Sequence, residues 1–187
     1  MHLLGFTLVT SLAESPRDHM RALILGAKSA IAQAIVERLT GYDFTLAARD
    51  CQELAPFAAD LKLKRSCSVD LIDFDALDFD ALEGLPQHVH EQFGEFDLAV
   101  LVFGYLGDQR IDEHDTAAIA RNVNINFTGA AIVLSHVANY LEKRGKDGGI
   151  VAICSVAGDR GRQSNYLYGS AKGGLALFLQ GLRNRLS

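Results

Sequence analysis

The chain has 187 residues, 49% of them hydrophobic and 22% charged, with a formal net charge of −5. That length suits one domain with a real core, and the acidic balance without a long basic run argues against nucleic acid as a partner. No apolar stretch is long enough for a transmembrane helix, and Cys51, Cys67 and Cys154 form no metal-ligand spacing, so we expect no metal, reduced thiols and a cytoplasmic location.

His2 to Ala13 is apolar, and Ser11-Leu-Ala13 loosely resembles a signal cleavage site. No Lys or Arg precedes it, so the positive n-region of a signal peptide is missing. We read residues 1–19 as a poorly ordered arm and residues 20–187 as the folded domain.

Arg21-Ala-Leu-Ile-Leu25 is a short apolar run ending at Gly26, which predicts a buried strand. Gly26-Ala-Lys-Ser-Ala-Ile-Ala32 follows, then Gln33 to Leu39 with helical periodicity. Small residues between a first strand and a helix let backbone N–H groups approach a pyrophosphate. Gly26, Lys28, Ser29, Ala30 and Ile31 are therefore candidate cofactor-binding residues. Tyr42 to Ala48 predicts the second strand, with Arg49-Asp50 after it. An acid at that place holds a ribose 2′-OH, whereas an arginine accommodates a 2′-phosphate. Arg49 comes first and Lys28 adds positive charge, so NADP(H) is the preferred cofactor and NAD(H) the alternative.

Cys51 to Leu61 reads as a helix, and Leu61 to Val69 as a third strand ending in Asp70. Asp70 and Leu71 would then lie at its carboxyl end, beside an adenine ring. The polar stretch through His88 and His90 lacks a third ligand, so both histidines are expected to be solvated. Phe96 to Phe103 predicts the fourth strand, ending at Gly104. A long helical segment runs from about Thr116 to Lys143 and carries Asn126-Phe-Thr-Gly129 in its middle. Asn and Gly are poor helix-interior residues, so a bend or a functional reason is expected there. Gly149 to Cys154 predicts a buried fifth strand, and a last helix runs from about Asn165 to Ser187.

Strands alternate with helices throughout. The expected fold is α/β: a Rossmann-like, doubly wound parallel sheet of order 3-2-1-4-5. Ser155 follows the fifth strand, at the sheet end where ligands bind. Tyr168 and Lys172 are four apart, on one face of a helix. An ammonium near a phenol stabilises the phenolate and makes the tyrosine a usable acid/base. A substrate oxygen could take a hydrogen bond from Ser155 and a proton from Tyr168.

Together these features resemble the short-chain dehydrogenase/reductase family over about Met20 to Ser187. Gly26 to Ala32 stands where that family carries T-G-x-x-x-G-I-G, with Leu25, Ala30 and Ala32 as departures. The resemblance implies that Tyr168 is the acid/base, that Lys172 lowers its pKa and holds the nicotinamide ribose, and that Ser155 orients the substrate carbonyl. It makes Asn126 the support of a water in a proton relay through Lys172. It matches Asp70 to an adenine-contacting aspartate. Leu101 to Gly104 stands where N-N-A-G is usual, so the resemblance makes Phe103 and Gly104 cofactor candidates. The expected function is NAD(P)(H)-dependent interconversion of a ketone and a secondary alcohol. The alternative is an inactive dinucleotide-binding or oligomerising remnant. Phe103 to Asp108, Asn126-Phe-Thr and the Ser155 to Tyr168 stretch are similar to reductases of the decaprenylphosphoryl-2-keto-pentose type, which ranks a sugar or lipid-linked sugar high among substrates. The family continues past the Tyr–Lys helix, so this chain is expected to be a C-terminally truncated member, a fragment or one piece of a larger assembly, and to reduce carbonyls poorly or not at all. The Asn126–Lys143 and Asn165–Ser187 helices are expected to form a homodimer or homotetramer.

Overall fold

The structure is a computed structural model that describes residues 20–186, so the reading of residues 1–19 as an arm lies outside the described residues. Five parallel strands form one sheet in the order β3-β2-β1-β4-β5. They are β1 (Met20–Leu25), β2 (Tyr42–Ala48), β3 (Val69–Asp73), β4 (Leu98–Leu101) and β5 (Gly149–Ala152). The helices are α1 (Ala30–Val36), α2 (Ala55–Lys64), α3 (Phe79–Phe93), α4 (Gln109–Asp112), α5 (Thr116–Val123), α6 (Gly129–Arg144) and α7 (Tyr166–Leu186).

The sheet is covered on both faces, and β1 shows why its sequence is continuously apolar. Leu23 and Leu25 enter one core with α3, α6 and α7, through Leu82, Val89, Val133, Val137 and Leu175. Ala22 and Ile24 enter the other core with α1 and α2, through Ala32, Val36, Ala58 and Leu61. A central parallel strand with both faces buried has no polar side to show.

The third strand differs from the expectation. Leu61 to Lys64 is the last turn of α2, where Asp60 and Lys64 form an i,i+4 ion pair at 2.7 Å. The strand begins at Val69 and ends at Asp73. Asp70 is therefore near the amino end, where its carboxylate meets the Arg21 guanidinium at 2.6 Å. Leu71 packs against the α1/α2 core. Neither lies at the strand's carboxyl end, so both adenine assignments fall. His90 also departs from the solvated reading, because its Nδ1 lies 3.1 Å from the Tyr140 hydroxyl.

The segment from Thr116 to Arg144 is one helical path interrupted by a π-turn at Asn124–Thr128. That turn coincides with the Asn/Gly-bearing stretch, so the expected irregularity is a local change in helix type. The apolar run of α6 is used internally: Ala130, Val133 and Leu134 are fully buried. Its surplus for an oligomer surface is thus smaller than the sequence implied, while Leu177 on α7 is 69% exposed. β5 is an edge strand and is less buried than expected, with Val151 46% exposed. Among the described residues, no helix is long and apolar enough to cross a membrane.

Candidate active site

A cavity of about 430 Å³ opens at the carboxyl ends of β1, β2 and β4, lined in part by Gly26, Lys28, Ser29, Arg49, Phe103 and Gly104. Gly26 has φ +94°, and a Cβ there would meet Phe103 Cβ and N at 2.8 Å. Only glycine lets the first turn pass so close beneath the end of β4. Ser29 caps α1, its hydroxyl accepting from Ile31 N at 3.2 Å. Ala30 and Ile31 are exposed in the first turn of α1, whereas Ala32 is buried in the core. The helix starts three residues earlier than the periodicity predicted.

A neighbouring cavity of about 620 Å³ is lined by Arg49, Asp50, Cys51, Asp73 and Phe74 among others. Asp73 occupies the place expected for Asp70, paired in register with Ala48 at the end of β2. Its carboxylate accepts from Cys51 N at 2.9 Å, and this hydrogen bond lowers its pKa. The overlooked signal was the Asp60–Lys64 pair, which extends α2 and moves the strand downstream. Lys28 Nζ lies 2.7 Å from Glu53 and 4.0 Å from Asp50, so its charge is already shared with two acids.

The turn after β4 is held from below. Asn126 is fully buried; its Oδ1 accepts from Tyr105 N at 2.9 Å, and its Nδ2 donates to Tyr105 O at 2.6 Å. Asn122 O and Oδ1 also lie within 3.0 Å of that Nδ2. Lys172 is 2% exposed and donates to Phe103 O at 3.2 Å. A Cβ on Gly104 would lie 3.1 Å from Asn126 Oδ1 and 3.3 Å from Lys172 Nζ. Asn126, Lys172, Phe103 and Gly104 therefore converge on one turn.

Ser155 arrives from the other side. It caps a short 3₁₀ turn at Val156–Gly158, its Oγ accepting from Ala157 N at 3.2 Å. The hydroxyl proton is left to donate elsewhere. This turn rests directly on α7. A Cβ on Gly169 would stand 2.6 Å from Ala157 O, and one on Gly158 would stand 2.6 Å from Gly173 N. Gly169 and Gly173, one helical turn apart, cut the notch that seats the Ser155 turn beside half-buried Tyr168 and buried Lys172. The sequence showed the four polar residues; the glycines that bring them together were overlooked.

Burial lowers the pKa of Lys172 from its ordinary 10.5, and the nearby Cys154 charge offsets part of that. Between the lowered native value and 10.5, the unfolded chain binds more protons than the native one. Stability therefore rises with pH across that window, and the cost of the buried ammonium is fully present below it. Lys172→Met lacks this dependence. The unmutated protein should gain stability relative to Lys172→Met as pH rises from neutral toward 10.5, as read by denaturant unfolding. A constant difference would show that Lys172 holds its proton equally in both states.

The short chain dehydrogenase family profile matches residues 20–187. An uncharacterised oxidoreductase of Mycobacterium tuberculosis (strain ATCC 25618 / H37Rv) is 38% identical over 165 residues, covering 88% of this chain and 66% of the relative. The structure of an NAD+-bound xylitol dehydrogenase superposes with a TM-score of 0.81 at 25% identity, covering 91% of this chain and 66% of the other. An F189W actinorhodin polyketide ketoreductase with NADPH gives a TM-score of 0.80 at 28% identity, covering 90% of this chain and 66% of the other. The chain belongs to the short chain dehydrogenase family, and it spans 66% of the length of these relatives.

Proposed function

We propose that the chain carries a nicotinamide-dependent oxidoreductase site that interconverts a ketone and a secondary alcohol, with NADP(H) preferred. The observation that carries this reading is the seating of the Ser155 turn on α7, next to Tyr168 and Lys172, at the carboxyl end of the sheet. The two similar structures bind NAD+ and NADPH respectively, which supports a dinucleotide in the cavity at Gly26 and Arg49. The cavity fits such a group: a glycine turn without side-chain bulk and Arg49 as a cation for phosphate, with the Asp73 carboxylate in the neighbouring cavity that shares Arg49, where the adenosine half would lie.

When bound, the cofactor supplies or accepts a hydride at the substrate carbon. Ser155 donates a hydrogen bond to the substrate oxygen. Tyr168 gives that oxygen a proton during reduction and takes it back during oxidation. Lys172 stabilises the tyrosinate left behind. Asn126 supports a proton relay through Lys172 by fixing the turn on which the ammonium rests. The resemblance of the Ser155 to Tyr168 stretch places a sugar ketone, free or lipid-linked, first in a substrate panel. NADPH titration followed by turnover on that panel tests the reading. Binding without reduction of any ketone would leave a dinucleotide-binding remnant and overturn the enzymatic assignment.

Arg49 should decide between the cofactors, since Lys28 is engaged by Glu53. Losing a charge-assisted contact costs on the order of 1.5–3 kcal/mol. Arg49→Ala should therefore shrink a preference for NADPH over NADH by roughly tenfold or more. Equal affinities in the unmutated protein would sink the NADP(H) assignment.

A further inference from the structure

We propose that Gln109 is a positioning residue for Tyr168, acting as the N-terminal cap of α7 from 58 positions away in the chain. The inference rests on the oxidoreductase reading of the site. Helix N-termini leave backbone N–H groups without partners, and a side chain at the cap position usually accepts from one of them. Asn165 stands in that position before α7 and is a favoured capping residue. It makes no cap: its Oδ1 is buried and accepts no hydrogen bond among the described residues. The Leu167 N–H donates instead to Gln109 Oε1, at 3.0 Å. Leu167 immediately precedes Tyr168.

The orientation of the Gln109 amide is determined by its neighbours. Gln109 is 8% exposed, and its Nε2 donates to Glu113 Oε2 at 3.3 Å, one turn further on. An ionised carboxylate only accepts, so it must face the NH2 group and leave Oε1 for Leu167. The Tyr166 hydroxyl donates to the same Glu113 oxygen at 3.0 Å. Glu113 thus holds both the capping amide and the first residue of α7.

The segment bearing Gln109 is itself anchored to the cofactor cavity. Asp108 caps α4 through Arg110 N at 3.0 Å, and Asp112 Oδ2 accepts from Asp108 N at 3.2 Å. Asn122 Nδ2 donates to Leu106 O at 3.2 Å, and Asn126 grips Tyr105 on both its N–H and its carbonyl. Tyr105 lines the cavity. Two hydrogen-bonded groups, joined by the backbone from Leu106 to Asp108, therefore lead from the cavity wall to the residue beside Tyr168. Losing the cap frees the first turn of α7, and the phenol position with it.

The test is Gln109→Met, which keeps length and removes the acceptor. A misplacement of about 1 Å at a reacting group costs on the order of a hundredfold, and loss of one hydrogen bond should move Tyr168 by less. We expect kcat to fall roughly tenfold with the KM for NADPH unchanged. Hydrogen exchange at the Leu167 amide should accelerate by about the same factor. Glu113→Ala should lower kcat in the same direction, and Glu113→Gln, which keeps an acceptor oxygen, should restore most of it. Unchanged kcat in Gln109→Met, or equal Leu167 exchange in both proteins, overturns the proposal. If the unmutated chain reduces no ketone, the oxidoreductase reading fails, and Leu167 exchange alone decides the cap: faster exchange in Gln109→Met sustains it and equal exchange overturns it.

Discussion

Tyr168→Phe should reduce ketone turnover by on the order of 10²–10⁴-fold, the usual contribution of a positioned general acid. NADPH affinity should stay nearly constant, because the substitution removes one oxygen and leaves the ring in place. The expected loss is specific to this tyrosine. Tyr166 lies two residues earlier at the same helix end, but its hydroxyl is bound to Glu113. That hydrogen bond to a carboxylate pushes the Tyr166 pKa up, the wrong direction for an acid/base near neutral pH. Tyr168 instead has Lys172 one helical turn away, below the Gly104 turn. Steady-state kinetics on one ketone, with parallel NADPH titrations, give both numbers. Full activity in Tyr168→Phe would falsify the assignment, and a matching loss in Tyr166→Phe would move the acid/base two positions upstream.

The sheet was legible wherever burial on both faces made a strand continuously apolar. β1, β2 and β4 are of that kind, and their order followed from regular alternation with helices. The third strand was misplaced because Leu61 and Leu63 alternate with lysines, which mimics a half-buried strand. In fact Leu61 is a core-facing helical residue and Leu63 is 88% exposed on the opposite side of α2. Moving that boundary puts Asp73, not Asp70, at the carboxyl end of the strand. The polar residues of the candidate site were legible because each is chemically distinctive at a fixed spacing. Gln109 carried no such mark. Its contact with Leu167 exists only because α4 folds back onto α7, a long-range event that local spacing does not record. The notch made by Gly169 and Gly173 was hidden for the same reason. A glycine's role depends on what approaches it, and here that is a turn from a different part of the chain.

Two glycine-to-alanine substitutions should act in opposite directions on stability, and the contrast tests the packing directly. Gly84 lies exposed in α3, and a Cβ there would meet nothing within 4 Å. Gly84→Ala gains helix propensity and should stabilise by about 1 kcal/mol. Gly129 opens α6 immediately after the π-turn. A Cβ there would fall 2.1 Å from Ala76 O and 3.1 Å from Ala76 C. The obstacle is backbone, so no rotamer change relieves it; α6 and the stretch after β3 must separate. Overpacking of this kind costs roughly 3 kcal/mol, and the propensity gain of about 1 kcal/mol offsets only part. Gly129→Ala should therefore destabilise by about 2 kcal/mol net, or lower Tm by roughly 4–8 °C for a domain of this size. The displaced residue, Ala76, lines the cavity at Gly26 and Arg49, so on the proposed function weaker NADPH binding should accompany the loss of stability. A Gly129→Ala protein as stable as Gly84→Ala would mean that α6 does not approach Ala76 closely, and the cavity wall would need another support.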